Sequence, residues 1–187
     1  MTGAPIASAP PAAVRVLAVW HRIECWIAVI CFSFIAVILV LDVLGREALA
    51  PFLNLIGVDI GPTGIFASQR FAIYALVVGS FAGIGIATAT GSHLVPRVGF
   101  GWVPKAFGPT MDRLADLFTA CFLVGVAYYG VKFVEVTYSI DLRAPVLDWV
   151  VWPFQVAIPL GFFSAACRYF IYAIWPVLRP GLPEFQE

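Results

Sequence analysis

Two histidines, four cysteines and a sparse set of charges are the reactive chemistry of this chain. His21 and His93 each fall near the end of an apolar segment, on the same predicted side of a membrane. Two histidines so placed could in principle ligate one haem iron. Membrane haem ligands are better held within helices, however, and His21 precedes a span while His93 follows one in a turn. Cys25, Cys31, Cys121 and Cys167 lie inside or at the edge of apolar segments, and none forms a C-x-x-C pair. They read as small packing residues rather than metal ligands or disulfide partners. No Gly-Lys-Ser/Thr phosphate loop, H-E-x-x-H or G-x-S-x-G is present. The reading is a protein that is not an enzyme and holds no metal or cofactor. A membrane anchor for a redox enzyme, holding haem or quinone, is the chemical alternative.

What must position these residues follows from composition. Of 187 residues, 61% are hydrophobic and 12% charged, with a mean hydropathy of +0.95. Soluble domains run at about 45–50% apolar and about 25% charged. Such a surface belongs in a bilayer. At roughly 20 residues per span the chain holds about four spans and no separate soluble domain. Formal net charge is zero, so nothing draws the chain to nucleic acid over distance.

The expected fold is an all-α membrane protein with spans at about 23–44, 71–90, 114–134 and 149–175. Residues 1–13 and 180–187 read as tails around a single membrane domain, 14–179. The first apolar run is too long for a signal peptide and reads as a retained span. Val14–Arg22 has the pattern of a short interfacial helix, with Arg15 and Arg22 reaching headgroups. Residues 47–69 read as a long loop, part of it lying on the bilayer surface. Seven Lys/Arg fall on the side of the termini and the 91–113 connector, and four on the other. The positive-inside rule then makes both termini and His93 cytoplasmic.

Within this frame a few residues stand out as packing or partner-contact candidates. Asp42 and Arg46 are four apart and share a helix face as an ion pair. Gly79 and Gly83 are spaced to let another helix backbone come close. Pro159 interrupts the last span and should kink it. His93 closes the turn after span two. The charges all fall toward the span ends, where water or headgroups would solvate them. Transport paths ordinarily carry ionisable groups or broken helices at mid-membrane. An accessory or scaffold subunit fits the pattern better than a carrier.

The order of short motifs resembles a known family. Asp42-Val43-Leu44-Gly45-Arg46 ends the first span, and Gly91-Ser92-His93-Leu94 ends the second. Val103-Pro104 and Met111-Asp112-Arg113-Leu114 lead into the third, and Ile158-Pro159-Leu160-Gly161 lies in the fourth. Over about residues 15–178 this is similar to the small integral membrane subunit, DctQ type, of tripartite ATP-independent periplasmic (TRAP) transporters. The chain departs from the family's pattern at Gln69-Arg70 and at Val95-Pro96-Arg97. The resemblance implies a multi-pass protein of the bacterial inner membrane. It implies a scaffold that packs against a large multi-span permease. A periplasmic binding protein would deliver the solute, usually an organic acid, and an ion gradient would drive uptake. The small subunit of another tripartite carboxylate transporter is the neighbouring reading.

Overall fold

The computed structural model describes residues 10–57, 64–91, 108–145 and 147–180. Among them the chain is helical with no β-strand, and four helical stretches are long and apolar enough to cross a membrane.

Helix α1 runs Pro11–Leu44. Pro11 suits a first helical position, because its missing N–H would find no partner there. At 34 residues the helix is about 51 Å long, well beyond one bilayer core. Residues 14–22 are thus the opening turns of α1 and not a separate interfacial helix. The far end also differs from the expected loop. A π-helical turn, Gly45–Leu49, leads directly into α2, Ala50–Leu55. Pro51 accounts for the wide turn: it cannot donate to the carbonyl four residues back, and its ring crowds that turn. The helical rod therefore reaches Leu55, and the connection to the next span is correspondingly shorter.

Helix α3, Ser68–Ala89, starts at Ala67 in left-handed backbone, φ 57°, and ends just before Gly91, φ 72°. Gly91 is suited to that stop, since residues with a Cβ rarely take this conformation. Helix α4 spans Gly108–Ser139. A tight connection at 140–151 carries an antiparallel bridge between Arg143 and Val150. Helix α5, Trp152–Gln155, and helix α6, Ala157–Ile174, are separated by a break at Val156. Pro159 lies in the first turn of α6. The interruption thus falls just before the proline, where it removes the N–H that would bond the Gln155 carbonyl. A 3-10 turn, Pro176–Leu178, follows.

The long helices stand in the order α1, α3, α6, α4: α1 packs on α3, α3 on α6 and α6 on α4. Helix α6 is the inner member, with eight of its 18 residues buried against three of the 34 in α1. Missing side chains make the close approaches. A Cβ on Gly161 would lie 2.5 Å from the Phe81 carbonyl oxygen, and one on Gly79 would lie 3.1 Å from Cys31 Cβ. Gly130 faces Pro159 across the α4–α6 contact. Rings fill the rest: Tyr74 stacks on Phe154 at 4.7 Å, and Phe81 meets Phe162 edge-on at 5.6 Å. Hydroxyls inside the helices turn back on the backbone, as Thr88 to the Ile84 carbonyl and Thr119 to the Ala115 carbonyl. That satisfies them where no water is at hand.

Candidate functional site: polar joints between the spans

Among the described residues, polar side chains join the helices and their flanking segments at three places. The most deeply buried is built from α1, α3 and α6. Glu24 lies thirteen residues after Pro11 in α1 and Arg168 lies near the middle of α6. Arg168 is 1% exposed and Glu24 6%. Arg168 Nη2 donates to Glu24 Oε2 at 2.6 Å, and the Ser164 hydroxyl donates to Glu24 Oε1 at 2.5 Å. Arg168 Nη1 donates to the Gly85 carbonyl on α3. The guanidinium also sits 5.6 Å over the Trp20 ring, a cation–π arrangement. Helices α1 and α6 scarcely touch elsewhere. The pair forms because Gly85 leaves a notch: a Cβ there would land on the Glu24 carboxylate.

This corrects the expectation that water or headgroups solvate the charges of the spans. Glu24 and Arg168 are packed inside the protein and neutralise each other. The signal was available in the sequence, as a Glu and an Arg within otherwise apolar runs. A charge among apolar side chains needs a partner. Their separation of 144 residues left no local spacing rule to connect them.

The second joint fastens the C-terminal segment to α4. Arg179 pairs with Asp116, and its Nη1 lies 3.3 Å from Asp112 Oδ2. Arg179 Nη2 also donates to the Asp112 backbone carbonyl at 3.2 Å. Asp116 is 4% exposed, and among the described residues Arg179 is the cation that pairs with it. Ala120, Tyr169 and Tyr172 form a small core beside it, with Leu123 and Leu178 packed against them.

The third joint includes the expected pair of span one. Arg46 Nη2 lies 2.9 Å from Asp42 Oδ2, and the Ile65 N–H donates to Asp42 Oδ1 at 2.8 Å. A buried carboxylate thereby ties α1 to the segment entering α3. Gly64 permits this contact, since a Cβ there would lie 2.9 Å from Asp42 Oδ1.

The remaining candidates are placed separately. Gly79 packs on α1, whereas a Cβ on Gly83 would meet nothing within 4 Å. The two glycines therefore serve different surroundings. Pro159 is buried against Gly130. His93 lies outside the described residues. His21 has Cys25 Sγ 3.6 Å from its Nε2, one turn away on α1. Among the described residues no three His, Cys, Asp or Glu side chains gather as a metal site.

The arrangement is one of joints. In the buried node both carboxylate oxygens and both terminal guanidinium nitrogens are engaged within the chain. Such groups fix helix positions and leave little to bind a solute.

Comparison with known proteins agrees with this picture. The family model described as "Tripartite ATP-independent periplasmic transporters, DctQ component" matches residues 35–179. The ectoine TRAP transporter small permease protein TeaB of Halomonas elongata is 29% identical over 140 residues, covering 74% of this chain and 72% of that one. No solved structure matches the chain. A multi-pass helical protein whose polar chemistry is used to join its own spans, matched by this family model over most of its length, belongs to the DctQ family: it is the small subunit of a TRAP transporter.

Proposed function

We propose that the chain is the static scaffold subunit of its transporter, not an enzyme, set in the bacterial inner membrane with both termini cytoplasmic. It packs against a large multi-span permease that carries the solute path. A periplasmic binding protein delivers the solute, an organic acid, and an ion gradient drives its uptake. The observation that carries the reading is the contrast between inside and outside. Buried charges are consumed in joints between spans. The flanking helices turn large apolar side chains outward: Trp26, Ile30 and Phe34 on α1, and Phe118, Phe122 and Tyr129 on α4. Faces of this kind suit lipid and a second membrane protein, and a rigid internal frame suits a subunit against which another moves. Gly83, with open space above it, is a place where a partner helix could come close.

The test is solute uptake in cells that lack only this chain. Uptake should be lost with the large permease still present, and return with the chain supplied from a plasmid. Full uptake without the chain would refute the scaffold role.

A further inference from the structure

At the end of the molecule where α3 begins, the first helical rod outruns its neighbours. Asp42 holds the Ile65 N–H, and α3 starts at Ser68. Phe71 on α3 meets Trp149 edge-on at 5.3 Å, and Tyr138 on α4 meets Trp152 on α5 at 5.6 Å. Asp42, the start of α3, the end of α4 and the start of α5 therefore stand at one level. Arg70, Asp141, Arg143 and Asp148 are all exposed there, which marks the edge of the bilayer. The backbone stays right-handed helical at Leu44 and Ala50, on either side of the π-helical turn. Residues 43–55 thus carry the rod on for about 20 Å. The headgroup layer is only about 5–8 Å deep on each side of the hydrocarbon core. Phe52 and Leu55, about 15 and 20 Å past Asp42 along the rod, stand above it.

This extension has two sides. Leu49, Phe52 and Ile56 follow one another at three and four residues and share a side of the helix, with Leu55 next to them. Glu47 and Asn54 lie on the opposite side. Each of the four apolar residues is more than half exposed, Leu55 by 85%. Beyond the π-helical turn that leads into it, α2 scarcely touches another described helix. The apolar side is therefore no part of the chain's own core.

What covers it follows from what does not reach it. Lipid tails and headgroups end below Phe52. A soluble binding protein that docks and leaves would return four large apolar side chains to water in every cycle, losing their burial each time. A membrane subunit that stays bound keeps them covered. We propose that α2 is a docking arm, which seats Leu49, Phe52, Leu55 and Ile56 in an apolar groove of the large permease, on the membrane face opposite the chain's ends. Amphipathic helices with anchors at this spacing bind grooves in this way. The proposal rests on the scaffold reading and adds to it a contact outside the bilayer.

The test puts the photoreactive residue benzoylphenylalanine at Phe52 of the full chain, expressed with its permease and irradiated in the native membrane. The expected adduct has the summed mass of the chain and the permease. An adduct with lipid, with the binding protein or with a second copy of the chain overturns the proposal, and so does the absence of any adduct. Assembly gives a second readout. Phe52→Glu should lower the permease retained on the tagged chain by at least about tenfold, the loss of one buried aromatic anchor. The unfolding midpoint of the isolated chain should not move. Asn54→Glu, on the other side of α2, should assemble as the wild type does. Wild-type assembly of Phe52→Glu, an equal loss in Asn54→Glu, or a lowered midpoint in Phe52→Glu overturns the arm and leaves the scaffold role standing. A wild-type chain that retains no permease overturns both.

Discussion

Glu24 on α1 and Arg168 on α6 are joined at 2.6 Å across the notch left by Gly85 on α3. One contact thereby couples three of the four spans, although the two charged helices scarcely touch. Removing one partner of a buried pair leaves the other charge uncompensated, at a cost of about 3–5 kcal/mol. Arg168→Ala and Glu24→Ala should each destabilise the purified chain by about that much. The double variant should cost clearly less than the sum. Thermal or denaturant unfolding in detergent measures this. Additive losses would show that the two side chains act independently.

The notch itself makes a sharper prediction. Gly85→Ala adds one methyl group, yet that methyl falls on the Glu24 carboxylate. It should destabilise the chain by about 1–3 kcal/mol, the range for overpacking. Gly161→Ala, aimed at the Phe81 carbonyl, should do the same. Stability of both variants within about 0.5 kcal/mol of wild type, as for ordinary surface changes, would contradict the close packing described.

Gly83→Leu should behave differently from either. The site has open space within the chain, so the unfolding midpoint of the isolated chain should be nearly unchanged. The yield of complex with the permease should fall. A fold defect in the isolated chain, or an unchanged complex yield, would remove α3's open glycine from the contact surface.

At the other joints the expected effects are local. Arg179→Gln leaves the buried Asp116 without its cation, and the segment after α6 should become sensitive to protease while the remaining spans stay protected. Asp42→Asn weakens the acceptor of the Ile65 N–H, so exchange of that amide with deuterium should speed up. Unchanged protease sensitivity and amide exchange would mean that these contacts do not hold their segments.

The four spans were legible in the sequence because an apolar run of bilayer length leaves the backbone few alternatives to a helix. The Asp42–Arg46 pair was legible for a similar reason, since one helical turn fixes both residues. Arg168 and Glu24 were not, because their meeting depends on which helices neighbour one another. Helix order is set by notches such as Gly85 and Gly161, and a glycine in a membrane helix does not announce which neighbour fills its space. Gly79 and Gly83 illustrate this: they share one spacing motif, but only Gly79 packs against α1. The extension of the first helical rod to Leu55 was not legible, because a glycine and a proline disfavour a continuing α-helix, yet Gly45 is accommodated in the π-helical turn and Pro51 in the first turn of α2 after it.

The scaffold role is tested most directly by the mass of the particle obtained when the full chain is tagged and extracted from its own membrane in mild detergent. The expected particle is a complex of this chain with a large multi-span permease. A chain that runs alone, in cells whose solute uptake survives its deletion, would contradict the account.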